Sequence, residues 1–297
     1  MKRVVSVSLG SSKRDHKVEV NLLGQKFSIE RIGTDGDMQK AMELIRSLDG
    51  QVAAFGLGGI DLYIYAGTKR YVIKDAARIA SIAQKTPVVD GSGLKNTLER
   101  KAITYLQETG INFQDVPVLL VCGVDRFGMA EALTQNGARL TCGDLIFALG
   151  LPIPLRSLKA LNTLAKIIAP VIVKLPFKYL YPTGDKQEKI SMKHSKYYDE
   201  AEIIAGDFHF IKKYMPPRLE GKIIITNTVT SQDIEMLKSR GVKTLITTTP
   251  KLNGRSFGTN VMEALLIALA DKKSSLTPAE YNDLLDQICF KPTIQNL

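Results

Sequence analysis

The chain has 297 residues, 44% hydrophobic and 24% charged, a globular composition with enough length for two cores. Its net charge of +10 favours an anionic partner without choosing among a phosphorylated ligand, a membrane surface and a nucleic acid. Three scattered cysteines, Cys122, Cys142 and Cys289, exclude a disulfide framework and a thiolate metal site, and no uncharged apolar run reaches the length of a membrane span.

Taken in chain order, residues 3–9 (RVVSVSL) read as a strand ending in the polar turn GSSKRDH. VEVNLLGQKFSIERIG alternates about Gly24 and reads as a hairpin. Asp37 caps a helix whose Met38, Met42, Ile45 and Leu48 share a face, and Gly50 ends it. VAAFGLGG (52–59) is a buried strand, YVIKDAARIASIAQK a strand running into a helix, PVVD a short strand, and 96–110 a helix closed by Gly110. A second alternation starts at Val116. It includes strands in AEIIAGDF, KIIITNTV and TLITTTP, a helix from Ser231 as N-cap to Gly241, and a strong helix over 260–271. The tail LTPAEYNDLLDQICF carries a capping box, Thr277 with Glu280, and Pro278 at the first helical position. Buried strands joined by helices predict an α/β fold. An α/β domain over 1–112, a substrate domain only by a family resemblance, is expected ahead of a Rossmann-like, doubly wound parallel-sheet domain over 113–271. That domain carries an insertion at 145–200, and 272–297 form a C-terminal helix.

The stretch VPVLLVCGVDRFGMAEALTQNGARLTCGD (116–144) has the layout of a dinucleotide-binding unit. Gly123 and Gly128 stand at the first and third glycine positions, and Asp125 takes the second. Asp144 lies 21 residues after Gly123, where an acid can bond a ribose 2′-hydroxyl. A carboxylate at a helix N-terminus competes with phosphate, and Arg126 beside it can offset this or grip the phosphate itself. NAD is therefore the expected cofactor, with NADP open; the plain alternative is a strand-to-helix turn with no nucleotide. Thr226, in TNTVT at a strand end, and Gly258 and Thr259, which open the 260–271 helix beside Arg255, are further candidate cofactor contacts. Asp207 and His209 follow a strand and suit an acid–base pair, or a helix cap.

Leu145 to Gly184 contains no acid and five bases, Arg156, Lys159, Lys166, Lys174 and Lys178. It reads first as a helix packing its apolar face on the sheet. It also suits a peripheral membrane contact or a lid over a hydrophobic substrate. Scattered bases without interleaved aromatics argue against nucleic acid. A small-molecule substrate and a cytoplasmic setting, with membrane association open, are the expectation; nothing signals an oligomeric state.

The turn SLGSSK, the element DGSGLKNT (90–97) and the strand–loop–helix from Val116 resemble, in order, elements of the shikimate and quinate dehydrogenase family. The resemblance implies hydride transfer between nicotinamide and a secondary alcohol or ketone, such as a polyol acid. Ser11, Ser12 and Lys13 would hold a substrate carboxylate, Asp90 and Asn96 would line the domain junction, and Lys95 or His209 would move the proton. Leu98 stands where the family's catalytic aspartate would be. LGGIDLYIY, GSGLKNTLERKAITYLQETGI and RSFGTNVMEALL are similar to elements of long-chain acyl-carrier-protein reductases, but Thr259 lies where that group has a nucleophilic cysteine. An acyl or aldehyde reductase and a non-catalytic nucleotide-sensing or membrane-docking protein are the alternatives.

Overall fold

The computed structural model describes residues 1–66, 69–176, 193–249, 251–252 and 255–297. The first part comprises β1 (Lys2–Ser8), a 3-10 turn at Ser12–Arg14, β2 (His16–Leu22), β3 (Gln25–Gly33), α1 (Met38–Leu48), β4 (Ala54–Gly58), β5 (Tyr63–Ala66), β6 (Lys69–Val72), α2 (Lys74–Ala80), β7 (Val88–Val89) and α3 (Ser92–Glu108). Its sheet runs β2-β3-β1-β4-β7, parallel except for the β2–β3 hairpin, and β5–β6 form a separate ribbon.

The second part comprises β8 (Pro117–Leu120), α4 (Phe127–Gln135), β9 (Arg139–Cys142), a π-helical turn at Asp144–Ala148, α5 (Leu158–Ile172), α6 (Lys196–Glu200), β10 (Ile203–Gly206), α7 (Phe208–Tyr214), β11 (Ile223–Thr226), α8 (Ser231–Ser239) and β12 (Thr244–Thr247). The ribbon β13 (Lys251–Leu252) and β14 (Arg255–Ser256), α9 (Thr259–Leu269), α10 (Pro278–Gln287) and β15 (Thr293–Asn296) complete it. The second sheet runs β15-β12-β11-β10-β8-β9, parallel except at β15.

Period-two alternation divides each sheet between two cores. Val4, Phe27, Ile29 and Ala54 face α9 and α10, while Val5, Val7, Phe55 and Leu57 face α1 and α2. In the second sheet Val118, Leu120, Ile203 and Ala205 face α4 and α5, while Leu119, Val121 and Ile204 face α7. Helix α3 is shared: Leu94 and Leu98 enter one core, Ile103 and Leu106 the other.

The α/β fold with parallel, two-sided sheets is as expected; four details differ. Helix α9, assigned from sequence to the nucleotide domain, packs on the first sheet, where the chain brings Asn260 against Gly56 and Gly91. The tail then returns to the second sheet, where β15 pairs antiparallel with β12, so residues 272–297 are more than a C-terminal helix. The strand order of the second sheet, numbered from its own first strand, is 2-1-3-4-5 with an antiparallel edge. That is the flavodoxin-like order of doubly wound sheets, not the 3-2-1-4-5-6 of a full dinucleotide fold. At smaller scale, Thr230, not Ser231, caps α8, through a capping box with Asp233.

In the insertion, α5 buries Leu161, Ala165 and Ala169. Leu161 lies in the α4-side core of the second sheet, and Val173, just past the helix, lies in the core of the first; the Lys74 amide donates to the Val173 carbonyl at 3.0 Å. The helix thus straps the two layers together. Lys178 and the rest of 177–184 lie outside the described residues.

Candidate functional site

In a 2-1-3-4-5 sheet the connections after the first and third strands leave in opposite directions, opening a crevice at their carboxyl ends. Here those strands are β8 and β10. The loop after β8 carries Gly123 to Arg126 and opens α4, as expected from sequence. The loop after β10 carries Asp207.

The loop's amides are already occupied. Those of Gly123 and Val124 donate to the two carboxylate oxygens of Asp144, at 3.0 and 2.8 Å. The amide of Asp125 turns to the Cys122 sulfur, and that of Arg126 donates to the Gly123 carbonyl at 3.1 Å. Asp144 is 6% exposed, and burial raises its pKa against the pull of the two amides. It holds the loop from inside, with both carboxylate oxygens on the loop's own amides, where the sequence suggested a ribose hydroxyl as its partner. Gly123 is glycine for a packing reason: a Cβ there would meet Cys142 Sγ and Leu161 Cδ2, both at 2.9 Å. Gly128 lets α4 lie against α3, because a Cβ would meet the Asn96 carbonyl oxygen at 2.6 Å.

Beside the loop lies a charged cluster. Helix α3 presents Ser92, Lys95, Asn96 and Glu99, spaced i, i+3, i+4, i+7, to a narrow cleft that Tyr63, Tyr65, Asp125, Arg126 and Phe127 also line. Lys95 Nζ lies 2.8 Å from Asp125 and 3.6 Å from Asp61. Burial would lower its pKa, but Asp125 and Asp61 raise it overall, making Lys95 a fixed cation and not the tuned acid–base group expected. Arg126, 2% exposed, pairs with Glu99 and reaches Asp207 at 3.3 Å. Burial pushes Glu99 up to about 7 although Arg126 and Lys95 pull it down. Glu99 Oε2, Arg126 Nε and Thr97 Oγ1 are buried without a hydrogen-bond partner.

Asp207 acts as the N-cap of α7, accepting the His209 amide at 2.9 Å. Its other oxygen accepts Asn227 Nδ2 at 2.9 Å and faces Arg126. Burial would raise its pKa, yet His209, Arg126 and the His209 amide hold it at about 2. The His209 ring does not meet Asp207; it is exposed, with Nε2 3.4 Å from Arg14. Asp207 and His209 therefore meet through a backbone cap, and the imidazole acts on the carboxylate by its charge without a hydrogen bond between the side chains.

The other expected contacts divide similarly. Asn96 lines the cleft. Asp90 accepts the amides of Leu62 at 2.6 Å, Tyr63 at 3.2 Å and Ser92 at 3.1 Å, so it positions Tyr63 and the start of α3 and does not line the cleft itself. Ser11, Ser12 and Lys13 are exposed in the 3-10 turn and none lines the cleft; the Ser11 hydroxyl accepts the Lys13 amide and the Ser12 amide donates to Asp35. Thr226 is fully buried, its hydroxyl donating to the Gly206 carbonyl at 2.8 Å. Gly258 and Thr259 belong to the first sheet's layer through α9, so neither joins the Gly123 loop; the Arg255 side chain lies outside the described residues.

Sequence reading missed Glu99, Tyr63, Tyr65 and Asn227. The polar stripe on α3 was the available signal, since polar residues there occupy the spacing of an apolar face. It also missed Glu263, buried on α9, which accepts the Gly91 amide at 2.6 Å and the Tyr281 hydroxyl. Burial and Asp90 push it up to about 8.

Several solved structures are similar in layout. A sugar ABC transport substrate-binding protein from Bordetella parapertussis is 10% identical, covering 100% of this chain and 89% of that one, with a TM-score of 0.40. A glucose-galactose binding protein from Geobacillus stearothermophilus is 11% identical over 99% and 97%, at 0.41. An NAD-dependent malic enzyme from Thermotoga maritima is 13% identical over 97% and 84%, at 0.37. At these scores none bears on function. No curated protein matches the sequence. Residues 3–90 match a domain of unknown function, DUF8753. Residues 93–297, more than half of the chain and including the whole α3 stripe beyond Ser92, match the domain of unknown function DUF8754, and the chain belongs to that family.

Proposed function

We propose that the chain binds a small, uncharged, polyhydroxylated molecule in the cleft between α3 and the loop after β8. The observation that carries this reading is the stripe Ser92, Lys95, Asn96 and Glu99 facing Asp125 and Arg126. Every cation in that wall is already ion-paired. An anionic ligand would have to compete with Asp125 for Lys95, whereas hydroxyls can donate to the carboxylates and accept from Lys95 and Asn96 with the pairs intact. Tyr63 and Tyr65 add aromatic surface, the usual complement to a few convergent polar groups in a small-molecule site; the cleft as it stands has a volume of about 20 Å³, so a sugar ring would have to part its walls. A thermal-shift panel of hexoses, pentoses and inositol tests the reading. A saturable rise in Tm with at least one of them is expected, lost in Asn96→Ala; about 2.7 kcal/mol of stabilisation accompanies ligand at a hundred times its Kd. No response across the panel would reject it.

Hydride transfer of the quinate or shikimate dehydrogenase kind is the second reading. It is favoured by the loop's position at the carboxyl edge of a parallel sheet, opening a helix. It requires NAD or NADP to take amides now held by Asp144 and to displace Leu161 from Gly123. Nicotinamide fluorescence on titration with NADH and NADPH tests it.

A further inference from the structure

We infer that the outer face of the insertion docks on an anionic lipid surface. Six of the ten large apolar side chains exposed among the described residues fall within this one segment: Leu149, Leu151, Ile153, Ile167, Val171 and Leu175. Scattered single exposures are normal in a folded protein, but this concentration is not. Ile167 and Val171, 66% and 61% exposed, are four residues apart on α5, and Leu175 continues the spacing just beyond its end. The opposite face of α5 is the one that buries Leu161, Ala165 and Ala169, so fold stability does not require apolar residues outside.

Charge selects the occupant. Residues 145–176 hold no Asp or Glu, and their four bases, Arg156, Lys159, Lys166 and Lys174, are all exposed. A second copy on the same patch would set bases against bases, because an isologous interface is self-complementary. An apolar stripe flanked within its own segment by bases and no acid matches the boundary between acyl chains and anionic headgroups. The helix would lie in that boundary; no helix among the described residues is long and apolar enough to cross a membrane.

Cosedimentation with phosphatidylcholine vesicles, with and without phosphatidylglycerol, tests the inference on the full chain. Binding is expected to the phosphatidylglycerol vesicles, weakened by salt, with Lys166→Ala reducing partition about fivefold. The double variant Ile167→Glu, Val171→Glu should lose it, while Leu23→Glu, at an exposed apolar site elsewhere, should retain it. Both replaced positions are exposed, so folding should persist and can be checked by an unchanged Tm. Three results would overturn the inference: no binding to phosphatidylglycerol vesicles, equal binding by the double variant, or a wild-type dimer on size exclusion that the double variant dissolves.

Discussion

Replacing Glu99 by Gln should stabilise the protein above pH 7, progressively less as pH falls from about 7 to 4.5, and not at all well below pH 4.5. The side chain is 2% exposed; one carboxylate oxygen meets Arg126 and the other has no partner. Ionised, Glu99 keeps a bare oxygen in the interior, which is why burial carries its pKa from 4.5 to about 7 despite Arg126. The folded protein therefore holds this proton more tightly than the unfolded chain does. Below pH 4.5 both states carry it and there is no cost. As pH rises from 4.5 to about 7 the unfolded chain releases it first and stability falls, and beyond that the loss is constant. At about 1.4 kcal/mol per pH unit the loss is ~3 kcal/mol. Gln mimics the neutral carboxyl and escapes it. Urea unfolding of both proteins at pH 4 and pH 8 measures the difference, provided the m-values agree. A Glu99→Gln variant less stable than wild type at pH 8 would refute the reasoning, because it would mean that the ionised pair with Arg126 is a net stabilising one.

Asp144→Ala should destabilise by roughly 2 kcal/mol or more, since it strands the amides of Gly123 and Val124, and Asp144→Asn should recover part of the loss; denaturant midpoints decide. Gly128→Val should cost about 1–3 kcal/mol by prising α4 from α3 at Asn96, again read by denaturant unfolding, and a neutral result would mean that the two helices can separate freely.

What was legible in the sequence followed from periodicity. VVSVS, IIAG, IIIT and TLIT are short runs rich in β-branched residues, which favours buried strands over helix, and all four are strands of the two sheets. TIQN is not such a run; β15 is an edge strand with alternate residues exposed, so the tail looked purely helical. Helix α9 was seen, but it is buried on nearly every side, and an all-round apolar helix carries no indication of which sheet it covers. At the site, spacing placed Gly123, Gly128 and Asp144 correctly along a strand–turn–helix. It could not say whether Asp144 faced a ribose or the loop's own amides, because both need an acceptor at the end of the next strand. Asp207 and His209 illustrate the same limit: two residues apart, they could pair through their side chains, yet the bond is backbone to carboxylate. Asp125 looked like a defect in a phosphate grip. Its partner is Lys95, 30 positions earlier, which no local pattern could reveal.

The loop after β8 is closed on its own carboxylate, and the proposed ligand is a smaller one in the neighbouring cleft. Titration of the purified protein with NADH, followed by nicotinamide fluorescence, tests it most directly. A flat response is expected for wild type up to millimolar NADH, the upper end of the roughly 1 μM–1 mM range in which enzymes commonly bind substrates. Saturable enhancement at micromolar NADH would contradict it. Asp144 would then have to release the Gly123 and Val124 amides, and the dehydrogenase reading would take precedence.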